Sequence, residues 1–347
     1  MSLREFVAAI PKVELNLQLT GALQKESLMM IARQNGLPSM REDFEEWAAL
    51  LDRPDYARID AIAREAGSWA MYPEDIALVV YDIGVALSKQ NVVYAEISVA
   101  PPDFVGSAHM NFDTFIEALN DGRDRALRGW NIDMAWILCI PRDNPRSGDE
   151  VARWATSQAA RLGNVVALGL TGPEETQPIG QFRRAFDTAH KKDIFTVVNA
   201  GSHLGSSGIY ETLEELDPHR LTDSWGIAAD DDLVTLLAEN KKALVISLSR
   251  ALRLGLIKKA GDYPLRELVD RGVQVALSSG MPALYQSTLI DEYIAAHEAC
   301  GLAIDDVIRI ARTSIELSFM DAERKDALLR RFDFEVKTAR GNWLRAM

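Results

Sequence analysis

The sequence predicts an α/β fold, a (β/α)8 TIM barrel with extra helices after the first strand and at the C-terminus. Three observations carry this. Short runs rich in β-branched residues alternate with longer segments of helical period, the pattern of parallel strands joined by helical crossovers. The strand candidates number eight, the number that closes such a barrel. No repeat, low-complexity tract or Pro/Gly/Ser linker interrupts the 347 residues, so 1–347 reads as a single domain of a size these barrels reach.

The first strand is expected at Val13–Leu19, followed by Ala22–Met71, where no strand pattern occurs and the first crossover expands into several helices. Pro73–Gln90 is helical: Ile76, Val79, Val80, Ile83 and Leu87 recur on one face behind an N-terminal Pro. Strands follow at Val92–Ala100, Ile132–Ile140, Val165–Leu170 and Ile194–Asn199. The sixth, Arg220–Trp225, is polar and is assigned from its place in the alternation. Asp230–Asp232 opens a helix, where carboxylates complement the dipole. Ala243–Leu248 is the seventh strand; Pro264 starts and Gly272 stops a helix before the eighth, Val273–Leu277. Thr288–Gly301, Asp305–Phe319 and Ala322–Arg331 are helices that cover the outside.

Composition narrows the function classes. With 38 Lys+Arg against 51 Asp+Glu the formal net charge is −13, which disfavours nucleic-acid and anionic-membrane partners. Two cysteines, Cys139 and Cys300, make no disulfide framework; Cys139 reads as a small core residue. The apolar stretch after Glu5 is too short for a signal segment and no run approaches a membrane span, so a cytoplasmic protein is expected.

Barrel enzymes place their chemistry at the C-terminal ends of the strands. There the chain reads IPKVELNLQLTG (Ile10–Gly21), TVVNAGSHLG (Thr196–Gly205), HRLTDSWG (His219–Gly226) and VQVALSSGMP (Val273–Pro282). With YAEISVAP (Tyr94–Pro101), CIPRDNP (Cys139–Pro145) and LGLTGPE (Leu168–Glu174), these segments resemble the adenosine deaminase family of the amidohydrolase superfamily, from about Pro11 to about Arg331. The resemblance implies a zinc-dependent deaminase barrel. It also identifies where this chain departs. Active members have His-x-His where Asn16-Leu17-Gln18 stands, a His at Asn199 and an Asp at Gly280, which together supply the zinc ligands. The family's catalytic Glu is Ser202, its water-orienting His is Asp223, and its second Asp of the eighth-strand pair is Met281.

Zinc lowers the pKa of bound water from about 15.7 to about 7, on the order of 12 kcal/mol toward hydroxide. Amide oxygens are poor zinc ligands beside imidazole and thiolate. The substitutions therefore predict no zinc, no other cofactor, no catalytic residue of the family's kind, and no deamination of adenosine. An oxygen-liganded cation among Asn16, Gln18, Asn199 and Asp223 would have one carboxylate and roughly millimolar affinity.

What remains is a polar ring at the barrel mouth: Asn16, Gln18, Asn199, Ser202, Asp223, Ser278 and Ser279. These either satisfy one another and water or bind a purine-like or other small polar ligand. Gly172 matches the family Gly whose backbone approaches the purine, and is also an ordinary turn residue. Two alternatives stay open: an active deaminase or hydrolase with a rebuilt site or a different substrate, and a structural or regulatory partner protein with an idle pocket. The five histidines form no metal-binding pair. Ser202–His203 is a weak nucleophile pair because adjacent side chains diverge. Glu96 is expected to be buried against a Lys or Arg, and Arg142 and Asp143 either contact a ligand or fix their loop.

Overall fold

The computed structural model describes residues 2–36, 49–50, 53–106 and 109–346. Eight parallel strands run in the order β1 to β8: Lys12–Gln18, Val92–Val99, Asp133–Pro141, Val165–Thr171, Phe195–Asn199, Arg220–Thr222, Ala243–Ile246 and Gln274–Leu277. Each strand pairs in parallel with the next, with register irregularities in the β1–β2 and β3–β4 ladders. Just past β8 the Gly280 carbonyl accepts from the Gln18 N–H at 2.8 Å, which draws β1 and β8 together. The result is a nearly closed (β/α)8 barrel, as the alternation predicts.

The sixth strand is shorter than expected. It stops at Thr222 because Asp223 adopts a left-handed backbone, φ +55°, and turns the chain out of the sheet. β7 also ends early, at Ile246, where Ser247 caps the helix Leu248–Arg253 by accepting from the Arg250 N–H. The helix Ala322–Ala346 runs on past Arg331.

The barrel's outer wall and its helices bury a continuous apolar core, with Val, Ile and Leu of every strand sealed on that side. Its interior is different. A small cluster of Ile137, Cys139, Ala167 and Val197 packs against Phe319. Gly169 sits among them because a Cβ there would lie 2.5 Å from Cys139 Sγ. Around this cluster the interior carries buried polar groups: Glu14, Asn16, Glu96, Asn199, Arg220 and Thr222. As expected, Glu96 is paired: Arg220 Nη1 donates to its Oε2 at 2.6 Å.

Two helices of the first crossover, Lys25–Gln34 and Ile59–Ser68, lie between β1 and the helix Pro73–Ser88. The rest of that expanded crossover falls partly outside the described residues. Among the described residues no helix is long and apolar enough to cross a membrane.

Candidate active site

The strand ends bring Asn16, Gln18, Gly172 and Asn199 to voids at the barrel mouth, whereas Ser202, Asp223, Ser278 and Ser279 line neither of them. Asn16 and Gln18 on β1 and Asn199 at the end of β5 line one small void, which they share with Ser98, Thr171 and Thr222. Gln18 also lines a larger cleft of about 600 Å³, partly open to solvent, bounded by Gly172, Met281 and the helix Ile59–Ser68. Gly172 needs its freedom: its φ is +101°, and its carbonyl accepts from Arg142 Nη1 at 2.9 Å.

Asp223 is fully buried, and the arrangement around it is asymmetric. Its Oδ2 accepts from Asn199 Nδ2 at 3.1 Å and lies 3.4 Å from Arg250 Nε, an ion pair by distance without hydrogen-bond geometry. Its Oδ1 is buried with no hydrogen-bond partner. Burial pushes the Asp223 carboxyl up, against the opposing pull of Arg250 and Asn199. Arg250 is itself buried and donates from Nη1 to the Tyr285 hydroxyl at 2.6 Å.

Other predicted residues are already engaged. Ser202 Oγ donates to the Asp223 carbonyl at 2.9 Å, while the His203 ring lies 3.2 Å from Glu175. The two side chains diverge, and no Ser–His pair forms. Ser279 donates from N–H and Oγ to Glu14 Oε2, at 2.9 and 2.7 Å. Gly280 N–H donates to Ser278 Oγ. These serines therefore stiffen the wall behind the mouth. Arg142 is buried and fixes its loop, donating to the carbonyls of Gly172 and Asn199, and burial lowers its pKa to about 10.

Several groups lie outside the motif positions. Arg250 comes from the helix Leu248–Arg253 after β7, Glu14 from the β1 interior, and Asp60 and Arg64 from the first crossover. Glu174 accepts from the N–H groups of Gly201, His203 and Leu204 and so shapes the loop carrying Ser202. Sequence reasoning missed both glutamates, although Glu14 and Glu174 stand as charged residues inside or beside apolar strands, a pattern that could have found them.

The adenosine deaminase family profile matches residues 11–334. The chain is 28% identical to an aminodeoxyfutalosine deaminase of Streptomyces avermitilis, over 99% of this chain and 94% of that one. It is 28% identical to an adenine deaminase of Chlorobium phaeobacteroides, over 96% and 100%. The solved adenine deaminase of Arthrobacter aurescens superposes with a TM-score of 0.86 at 22% identity, covering 94% of this chain and 99% of that one. A Burkholderia ambifaria amidohydrolase with bound Zn gives 0.85 at 20%, covering 97% and 94%. Arabidopsis ADAL complexed with IMP gives 0.84 at 20%, covering 96% and 99%.

Two expectations are corrected by these findings. A barrel that does not deaminate is contradicted by relatives of nearly full-length match that are named deaminases; they favour the alternative, an active deaminase or hydrolase with a rebuilt site or a different substrate. The absence of any cofactor is contradicted by the metal dependence of the family and the zinc of the Burkholderia protein. The physical reason is that the motif positions show which of the family's side chains are lost but not what else the fold places near them: Asp60 lines the cleft, and Arg250 lies 3.4 Å from Asp223. Locally, the four positions present amide oxygens at Asn16, Gln18 and Asn199, and no side chain at Gly280. Asp223 beside them is already paired with Arg250, and among the described residues no three His, Cys, Asp or Glu are placed to hold a metal ion. That donor set does not fit a tetrahedral zinc, so no step is routed through a metal. By the match of its sequence over residues 11–334, the chain belongs to the adenosine deaminase family.

Proposed function

We propose that the chain is an active deaminase or related hydrolase with a rebuilt site, acting on a purine-like small molecule held at the barrel mouth. In this reading 1–347 is one domain. Asn16, Gln18, Gly172 and Asn199 form the pocket, with Asp223 held on Asn199 and with Ser202 and Ser279 bracing it. The observation that carries the reading is Asp223: a buried carboxylate at a barrel strand's C-terminal end, one oxygen held by Asn199 and Arg250, the other without a partner.

An unsatisfied buried carboxylate oxygen costs stability and calls for a donor. A substrate N–H or a water supplies one. Hydrolytic deamination adds water across the ring C–N bond. Asp223 Oδ1 takes one proton from the attacking water and passes it to the ring nitrogen; it then relays the remaining hydroxyl proton to the amino group, the exocyclic C–N bond breaks, ammonia leaves, and the ring carbon becomes a carbonyl. Burial raises the Asp223 pKa and makes it a better base than a solvated Asp. The amides of Asn16 and Gln18 offer both donors and acceptors to a heterocycle edge, and the Gly172 backbone lets a flat ring approach.

The test is ammonia release from adenine, adenosine and aminodeoxyfutalosine by the purified full chain, with Asp223→Asn alongside. The expected result is turnover of one of them that falls about 10²- to 10⁴-fold in the variant, the range for loss of a general base. Ammonia from none of the three, or turnover indifferent to Asp223→Asn, overturns the proposal.

A further inference from the structure

The cleft in front of Asn16 and Gln18 carries a charge pattern that the chemistry above does not use. Four charged side chains line it: Asp60 and Arg64 on the helix Ile59–Ser68, Asp103 after β2, and Asp143 after β3. Arg64 is already shared, 2.9 Å from Asp143 through Nη2 and 3.7 Å from Asp103 through Nε. Among the described residues lining the cleft it is the one cation. Asp60 interacts electrostatically with Asp223 and Arg250, so the rim and the buried carboxylate share one field. Asp103 is the most enclosed of the rim pair, with its side chain 22% exposed against 42% for Asp143. Burial raises its pKa, Arg64 opposes the rise, and Asp143 adds to it.

A phosphate entering this cleft meets three carboxylates and a guanidinium that two of them already hold. Recognition of phosphate calls for free Arg or Lys, or for open backbone N–H groups at a helix N-terminus. The first turn of the helix Ile59–Ser68 instead carries Asp60, which repels an anion there. A protonated amine or amidine meets acceptors on three sides, and a cleft with low-dielectric walls concentrates such cations. We infer that the cleft prefers cationic ligands to neutral ones, and neutral ones to phosphorylated ones. The site thereby differs from that of the Arabidopsis protein complexed with IMP. Specificity of this kind comes from the repulsive element as much as from the attractive one.

The inference rests on reading the cleft as the substrate site, and binding measurements separate it from turnover. Calorimetric titration of the full chain at low salt compares 5′-amino-5′-deoxyadenosine, adenosine and AMP, with benzamidine and benzoate as a charge pair that contains no purine. The amine is expected to bind about 10-fold tighter than adenosine, and AMP about 10-fold weaker, with the spread shrinking in salt. Asp103→Asn with Asp143→Asn should collapse the spread, and Arg64→Gln should widen it; both changes fall on partly exposed side chains that the fold tolerates. AMP binding as well as adenosine, or a spread unmoved by these variants, overturns the inference. Benzamidine binding in preference to benzoate while no nucleoside binds upholds it and removes the purine reading instead. No binding by any of the five probes overturns it.

Discussion

Buried carboxylates in this protein are kept by backbone N–H groups as much as by cations. Glu292, on the helix Leu289–Glu298, accepts from the N–H groups of Leu248 and Ser249 at 2.6 and 3.1 Å, and from the Ser249 hydroxyl. It thereby staples the start of the helix that carries Arg250. Burial pushes its carboxyl up to about 7 from the usual 4.5. A carboxyl whose pKa is raised on folding contributes stability that is complete below the unfolded value and is lost as pH rises through the folded value. The window is therefore pH 4.5 to about 7. Glu292→Gln keeps an acceptor and removes the titration. Urea unfolding at both ends of that window should show the wild type losing on the order of 3 kcal/mol relative to the variant as pH rises. A constant difference between the two would mean that Glu292 does not titrate there. Arg250 gives a second test at this scale. Arg250→Met strands Asp223 without its cation, and the urea midpoint should drop by an amount equivalent to about 3–5 kcal/mol.

At the scale of elements, the helices Pro73–Ser88 and Phe112–Trp130 pack closely enough that one glycine decides their separation. A Cβ on Gly122 would lie 2.5 Å from the Ala77 carbonyl and 2.6 Å from Val80 Cβ. The clash is with backbone, which cannot rotate away. Despite the better helix propensity of Ala, Gly122→Ala should cost about 1–3 kcal/mol, the range for overpacking, read as a lower Tm; an unchanged or raised Tm would show that the helices part without cost. Such close approach was not readable from the sequence, where Gly122 is one more residue in a helical run. The strands were readable, because apolar β-branched runs such as Val92–Val99 and Val165–Leu170 keep their character whatever they pack against. β6 was misjudged at its end because the left-handed turn at Asp223 is a property of the loop, not of the composition of LTDSW. The mouth positions Asn16, Asn199 and Asp223 were legible from strand ends and resemblance. Their partners were not: Ser279 reaches Glu14 across 265 residues, and Arg250 comes from a short helix after β7 that no motif marks.

For the whole molecule, the barrel is tied inside by one buried ion pair. Arg220 on β6 donates to Glu96 on β2 at 2.6 Å, to the Leu15 carbonyl on β1 at 3.0 Å and to the Leu317 carbonyl at 2.7 Å. Its guanidinium lies 4.0 Å from the Phe319 ring, and the Phe319 N–H donates to Glu96. Three strands and the C-terminal helical cover thus converge on two side chains, both buried. Desolvating such a pair costs several kcal/mol per ion, so its presence says little about net stability, whereas halving it is expensive. Arg220→Met alone leaves Glu96 buried with a cation removed, and Glu96→Leu alone leaves Arg220 so; each should destabilise by about 3–5 kcal/mol. The double variant replaces the pair with apolar groups of similar reach and should recover most of that loss, giving a coupling energy well above the roughly 0.5 kcal/mol limit of additive sites. Urea unfolding of the four proteins closes the cycle. If the two single losses simply add in the double variant, the pair is not the joint that holds strands and cover together, and the apolar core around the barrel carries that role alone.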